Sequence, residues 1–155
     1  MCVTVGQIVP EFSATATGEQ SVQLSALRGR RVVLYFYPKD HTPGCTIEGQ
    51  QFRDRHAEFA ALNTVIFGVS RDSLRSHENF RAKHDFPFAL ITDLDATLCQ
   101  QFNVLKLKTM YGKKVLGVER STFLIDADGV LRQAWRKVKV EGHVEAVLAA
   151  VKALP

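Results

Sequence analysis

RVVLYFYPKDHTPGC occupies residues 31–45 and carries the strongest fold signal in the chain. Residues 31–37 are nearly all aromatic, aliphatic or β-branched, which is typical of a strand buried on both faces of a sheet. Pro38 ends this strand, because proline has no N–H to donate to a neighbouring strand. A helix begins at residues 43–45, and we predict that it continues to about Leu62.

Apolar strands and amphipathic helices alternate along the rest of the chain. The sequence predicts strands at residues 65–69 and 88–91, and a hairpin at residues 121–135 with its turn at 126–129. It also predicts three helices: one capped by Asp72 or Ser73 and ending near Lys83, a short one from Asp93 to Phe102, and a closing one from Val140 to Leu154. This order predicts an α/β fold with a central mixed β-sheet flanked by helices on both faces.

The composition of the 155 residues is that of an ordinary globular protein, with 46% hydrophobic and 23% charged residues. We find no internal repeat or linker, so we predict one domain spanning residues 1–155. The net charge of +4 is spread along the chain, which argues against nucleic acid as a partner. The sequence shows no leader and no apolar run of roughly 20 residues, so we predict a cytoplasmic protein with no membrane partner.

Three cysteines, Cys2, Cys45 and Cys99, form neither a disulfide framework nor a metal-binding pattern. A metal site made of His41, Cys45 and His56 lacks paired-ligand spacing, so we predict neither a metal nor another cofactor. The chain contains no Cys-x-x-Cys, which excludes a dithiol oxidoreductase of the thioredoxin type.

Cys45 has the local setting of a reactive cysteine. The thiolate is the nucleophilic form, and unpaired N–H groups and the dipole at a helix start stabilise it. Gly44 lets the backbone approach the sulfur or its substrate closely, and the Thr42 hydroxyl can accept one hydrogen bond while donating another. The alternative is that Cys45 is a small buried apolar residue, which is the common fate of a cysteine.

The run YFYPKDHTPGCTIE, residues 35–48, resembles the peroxiredoxin signature Pro-x-x-x-Thr-x-x-Cys, and in particular the bacterioferritin comigratory protein or peroxiredoxin Q group. Further similar segments follow in the family's order at residues 52–54, 69–72, 76–77, 83, 110–113 and 119–126. This resemblance covers nearly the whole chain. It implies a thioredoxin-like fold without a cofactor, a peroxide substrate, and a reducing thiol supplied by thioredoxin, glutaredoxin or a low-molecular-weight thiol.

The same resemblance implies a role for each residue of the motif. Cys45 is then the peroxidatic nucleophile, Thr42 hydrogen-bonds the peroxide, and Pro38 shields the pocket. Arg120 stabilises the thiolate and the transition state, a role that suits a guanidinium group because it is permanently charged and carries several N–H donors in a fixed plane. Glu48 either holds Arg120 or stabilises the helix start, and the sequence leaves both roles open.

This chain differs from many members of that group in its resolving cysteine. Gln50 stands five residues after Cys45, and residues 76–83 on the next helix contain no cysteine. We therefore predict a monomeric one-cysteine peroxidase whose sulfenic acid is reduced by an external thiol. Two alternatives stay open: Cys99 or Cys2 resolves the sulfenic acid, or the chain is a non-enzymatic peroxide sensor or holdase.

Overall fold

The computed structural model describes residues 3–155. The strands are β1 (Ser13–Ala16), β2 (Gln20–Gln23), β3 (Arg31–Phe36), β4 (Thr64–Ser70), β5 (Ala89–Thr92), β6 (Leu105–Met110), β7 (Lys113–Val118), β8 (Ser121–Ile125) and β9 (Leu131–Trp135). The helices are α1 (Pro43–Asp54), α2 (His56–Ala61), α3 (Leu74–His84), α4 (Thr97–Gln101) and α5 (His143–Lys152), and a short 3-10 turn spans Leu24–Leu27.

Seven of these strands form one mixed sheet in the order β2-β1-β5-β4-β3-β8-β9. Strands β3, β4 and β5 run parallel, while β8 pairs antiparallel with β3 and β1 pairs antiparallel with β5. Strands β6 and β7 form a separate two-stranded ribbon. The predicted α/β class with a central mixed sheet is confirmed. Across residues 3–155, none of the helices is both long enough and apolar enough to span a bilayer.

Strand β3 divides the core into two clusters, one on each face of the sheet. Its residues alternate, with Val32, Leu34 and Phe36 in one cluster and Val33 and Tyr35 in the other. Side chains of α1, α2, α3 and α5 complete the Tyr35 cluster, and α4 contributes to the Phe36 cluster. Burial of β3 on both faces is confirmed, with every residue from 32 to 36 at most 1% exposed.

The single helix predicted from residue 43 to residue 62 is in fact two helices. Arg55 interrupts the helix with φ −104° and ψ 3°, and its guanidinium bridges to Glu58 at 3.0 Å and Glu145 at 2.7 Å. Phe52 in α1 and Phe59 in α2 are both fully buried against the same core. The apolar spacing therefore predicted the buried face correctly but carried no information about the break.

The structure also contains two hairpins that the sequence did not predict. Strands β1 and β2 have four residues each and are mostly exposed, so the alternation of buried and exposed positions is too short to recognise. The β6–β7 ribbon is rich in lysine, and its turn uses Tyr111 at φ 52° and Gly112 at φ 77°. Positive φ at both turn positions is the backbone of a tight hairpin turn.

Gly68 leaves room for the packing of the central strands, and we predict that Gly68→Ala destabilises the fold by about 1–3 kcal/mol. A Cβ there would lie 2.8 Å from both the Leu90 Cδ2 and the Tyr35 Oη. Gly117→Ala is the control, because its Cβ would meet only the flexible end of Lys108 at 3.3 Å. Urea unfolding at pH 7 measures both variants, and equal losses would contradict the packing argument.

Candidate active site

The register between β3 and β8 brings two distant parts of the chain together. Phe36, the last residue of β3, pairs with Ser121, the first residue of β8. Because these strands are antiparallel, the residue before Ser121 lies beside the loop that leaves β3 at Pro38. That residue is Arg120, and its carbonyl accepts a hydrogen bond from the Val138 N–H at 3.0 Å.

Cys45 lies in the first turn of α1 and is only 2% exposed. Thr42 is the N-cap residue with extended backbone angles, and Pro43 occupies the first turn, where its missing N–H costs nothing. The Arg120 Nη2 lies 3.4 Å from the Cys45 Sγ. The Cys45 sulfur thus has the first turn of a helix and a permanently charged guanidinium as neighbours.

Glu48 shares the guanidinium of Arg120 with Cys45. Its Oε1 lies 2.6 Å from the Arg120 Nη1, whereas its Oε2 is buried without a hydrogen-bond partner among the described residues. Burial raises the pKa of Glu48 to about 7, although the charge and hydrogen bond of Arg120 act in the opposite direction. Of the two roles that the sequence left open for Glu48, the geometry shows direct contact with Arg120.

Gly44 allows the guanidinium to reach this position. A Cβ at Gly44 would lie 3.2 Å from the Arg120 Nη2, closer than most side-chain contacts. We expected this glycine to admit the sulfur or a substrate. The side chain of Arg120 comes close to Gly44, and the approach of a substrate to it stays a prediction.

Thr42 donates its hydroxyl hydrogen to the Lys39 carbonyl at 2.8 Å. The Thr42 oxygen keeps its lone pairs, so it can still accept a hydrogen bond from a substrate O–H. Pro38 is exposed at the start of the same loop, one residue after the buried Tyr37. The shielding role of Pro38 stays a prediction.

Asp40 anchors this loop from inside the protein through a network that sequence reasoning missed. Its Oδ1 accepts the Tyr37 hydroxyl at 2.6 Å, and its Oδ2 accepts the Ser76 hydroxyl at 2.8 Å and lies 2.7 Å from the His77 Nδ1. The His77 Nε2 lies 2.9 Å from the Ile91 carbonyl. Both ring nitrogens of His77 therefore lie within hydrogen-bond distance of an oxygen, which fixes the orientation of the ring.

The carboxyl group of Asp40 is held in its ionised form. Burial by itself would raise the pKa of Asp40, but the hydrogen bond and charge of His77 and the hydroxyls of Tyr37 and Ser76 lower it below its usual range. His77 is fully buried in α3. The sequence carried a signal for this network, because Ser76 and His77 lie in a segment similar to the family, but it assigned that segment no role.

Asp72 extends the network on the other side of Asp40. Its Oδ2 accepts the Asp40 N–H at 2.9 Å and the Ser70 hydroxyl at 2.5 Å. Asp40, Asp72 and His77 place potential metal-ligating atoms within 4.8 Å of one another. The hydrogen bonds described above already engage these groups, so we interpret the cluster as a network that fixes the loop.

Cys99 lies on the opposite face of the sheet from Cys45. It is fully buried in the Phe36 cluster, and its N–H donates to the Asp93 carboxylate at 2.8 Å. Burial, together with the hydrogen bond and charge of Asp93, raises the pKa of the Cys99 thiol. Cys2 lies outside the described residues.

His41 and His56 do not join Cys45 in a metal-binding group within residues 3–155. His41 is exposed with φ 65°, and its ring centroid lies 5.0 Å from that of Phe80. His56 begins α2, and its ring centroid lies 6.4 Å from that of Phe88. The structure thus gives both histidines aromatic neighbours.

Known proteins share this architecture and sequence. The AhpC/TSA family matches residues 5–134. Peroxiredoxin Bcp of Xanthomonas campestris is 56% identical over 143 residues, which cover 92% of this chain and 89% of that protein. A solved structure of the X. campestris bacterioferritin comigratory protein, described for its alkyl peroxide reduction activity, has a TM-score of 0.88 at 53% identity and covers 92% of this chain and 90% of that one. A solved structure of a cysteine mutant of Xylella fastidiosa PrxQ has a TM-score of 0.93 at 43% identity, and the match covers 99% of this chain and 98% of that one.

We predict that Asp40→Asn lowers the free energy of unfolding at pH 7 by about 3–5 kcal/mol, because it removes a buried carboxylate that accepts hydrogen bonds from Tyr37 and Ser76 and contacts His77. The pKa of Asp40 is lowered by folding, so this carboxylate contributes its stability above the ordinary carboxyl range and loses it as the pH falls below about 4. The difference from wild type should therefore shrink in acid. Urea unfolding at pH 7 and at pH 3 measures both effects.

Asp128→Asn is the matched control for that experiment, since Asp128 is exposed in the β8–β9 turn. Its effect should stay within about 0.5 kcal/mol. An Asp40→Asn loss no larger than that of the control would show that the network adds no stability.

Glu48→Gln should reveal the titration of the buried carboxyl group. A carboxyl whose pKa rises from 4.5 to about 7 binds its proton more tightly in the folded state, so its contribution to stability falls as the pH rises through that interval. We expect the free energy of unfolding of Glu48→Gln to increase relative to wild type from pH 5 to pH 7 and then level off. Glu141→Gln is the control and should show no such trend, because Glu141 is exposed and forms no ion pair among the described residues. A pH-independent difference for Glu48→Gln would contradict the assignment.

Proposed function

The chain belongs to the AhpC/TSA family and, within it, to the group named peroxiredoxin Bcp or peroxiredoxin Q, and from this premise we propose that Cys45 is its peroxidatic nucleophile. Peroxiredoxins are thiol-dependent peroxidases, and this is the activity of the chain. The contact between the Arg120 Nη2 and the Cys45 Sγ at 3.4 Å is the observation that carries the assignment. It joins the candidate nucleophile to a permanent cation in a site shielded from water.

In the first step the Cys45 thiolate attacks one oxygen of the peroxide. The new S–O bond forms as the O–O bond breaks, so the sulfur is oxidised to a sulfenic acid and the leaving oxygen departs as water or an alcohol after taking a proton. Negative charge moves from sulfur to oxygen during this step, and Arg120 stabilises it throughout. Thr42 orients the peroxide, because its free lone pairs accept the O–H of the attacked peroxide.

The remaining residues of the motif support this step without reacting. Glu48 holds the Arg120 guanidinium from its far side, and Gly44 leaves space for it over the first turn of α1. Pro38 covers the entrance of the pocket from the loop. Hydrogen peroxide and organic hydroperoxides are the proposed substrates, and the alkyl peroxide activity of the X. campestris relative supports the second class.

We propose that an external thiol regenerates Cys45. The thiol condenses with the sulfenic acid to form a mixed disulfide and water, and a second thiol then releases Cys45 as a thiol and leaves as a disulfide. Cys99 is buried on the other face of the sheet, so an internal disulfide with it would require the core to open. Gln50 and the segment 76–83 supply no cysteine either.

We also propose that the enzyme has a single domain, is a monomer and works in the cytoplasm, where reducing thiols are abundant.

Mass spectrometry of the intact protein after one equivalent of hydrogen peroxide tests this mechanism. We expect rapid addition of one oxygen to wild type and to Cys99→Ser, and none to Cys45→Ser. Subsequent addition of a small thiol should give a mixed disulfide in the first two proteins. Sustained peroxide consumption with that thiol in excess would separate an enzyme from a sensor that is oxidised once.

Three results would contradict the proposal. Oxidation of Cys45 no faster than that of free cysteine would remove the peroxidase assignment. An internal disulfide that disappears in Cys99→Ser would make Cys99 the resolving residue. A single stoichiometric oxidation without turnover would favour the sensor.

A further inference from the structure

A cavity of about 430 Å³ opens at the end of the sheet opposite Cys45. Cys45 follows the carboxyl end of β3, whereas this cavity is lined by the first residues of β4, from Thr64 to Phe67. Arg31 at the start of β3 pairs with Thr64 and Leu34 pairs with Phe67, so the cavity lies beside the first half of β3, whereas the active-site loop leaves β3 after Phe36. None of Thr42, Cys45, Glu48 and Arg120 lines the cavity, which is therefore separate from the peroxidatic site.

Two arginines line the cavity without a partner of their own. Among the described residues, neither Arg30 nor Arg81 makes an ion pair within 4.0 Å or a side-chain hydrogen bond. The Arg81 Nε is buried without an acceptor among the described residues, so a ligand could contact Arg81 only through its terminal Nη groups. The charge of neither guanidinium is taken up by another described side chain, which leaves both to a ligand in the cavity.

The remaining lining gives the cavity a clear chemical character. Among the described residues, its lining contains no aspartate or glutamate, so the charge of Arg30 and Arg81 is not neutralised within it. Leu27, Val65 and Pro87 provide an apolar wall beside these cations. An anion alone would leave that wall unused, and an apolar molecule alone would leave the arginines unpaired.

The edge of β4 adds backbone groups to the same cavity. Pairing between β4 and β5 begins only at Phe67 with Ala89, so residues 64–66 have no β5 partner on that side of the strand. Polar groups of an unpaired strand edge are available to a ligand. The cavity thus combines cations, a strand edge and an apolar wall.

We propose that this cavity is a second ligand site that binds an organic anion, with its carboxylate or phosphate between Arg30 and Arg81 and its apolar or aromatic body against Leu27, Val65 and Pro87. The planar guanidinium groups suit either oxyanion, because both accept paired hydrogen bonds. The site does not depend on the peroxidase mechanism, and its occupation requires no change at Cys45.

Calorimetric titration of the full chain tests the proposal with three separate probes: adenosine 5′-monophosphate, decanoate and inorganic phosphate. We expect one of the two organic anions to bind with one-to-one stoichiometry and more tightly than inorganic phosphate, which has no apolar body. Binding of the nucleotide alone identifies a phosphate ligand, and binding of decanoate alone identifies a carboxylate ligand. The proposal is overturned if neither organic anion binds with a dissociation constant below about 10 mM, a concentration equivalent to very weak affinity.

Variants of the arginines locate the binding. Arg81→Gln should weaken binding of the successful probe by about tenfold or more, since it removes a charged hydrogen-bond donor. Arg75→Gln, at an exposed arginine of the same helix, should leave the affinity unchanged. Equal weakening by both variants would mean a general charge effect and would overturn the proposal.

Two further measurements keep the result interpretable. Arg30→Gln, at an exposed position, repeats the test if Arg81→Gln does not give the wild-type circular dichroism spectrum. Cys45→Ser should bind the probe with wild-type affinity, and Arg81→Gln should be oxidised by peroxide at the wild-type rate. Loss of probe binding in Cys45→Ser would place the ligand at the peroxidatic site instead.

Discussion

One guanidinium stands between two groups that both gain from its charge. Arg120 lies 3.4 Å from the Cys45 sulfur and 2.6 Å from a Glu48 oxygen, and Glu48 is fully buried. If both neighbours are ionised, one positive charge faces two negative ones where water does not screen them. Burial raises the pKa of Glu48 to about 7, so this carboxyl is only partly ionised at neutral pH and neutralises Arg120 only in part.

The site stays in place because its parts are fixed from several directions. Five paired residues set the register of β8 against β3, so Arg120 is positioned by the backbone and not only by its charge. Asp40 fixes the other side of the loop through Tyr37 and His77, and His77 belongs to α3. Preorganised groups need little rearrangement when charge develops in the transition state. A loop held at both ends by buried contacts meets that condition.

Local patterns in the sequence predicted the parts of this protein that depend on neighbouring residues. The apolar run of β3 and the helix start at Cys45 follow from residue types within a few positions. The contact between Glu48 and Arg120 joins residues 72 positions apart, and that between Asp40 and His77 joins residues 37 apart. Such contacts depend on strand order and register, which no local pattern encodes. Resemblance to a family supplied Arg120 for this reason, whereas the Asp40 network, to which no motif assigned a role, was missed.

The sheet separates the two described cysteines, which belong to the core clusters on its opposite faces. Residues of β3 alternate between the two clusters, one of which contains Cys45 and the other Cys99. A disulfide between the two sulfurs would therefore disrupt the packing of both clusters. The Cys45 sulfur is itself almost fully buried, which limits its contact with a second peroxide molecule as well as with a reducing thiol. In the proposed mechanism a thiol from outside has to reach the same buried sulfur that the peroxide reaches, so it can enter only after the alcohol or water has left.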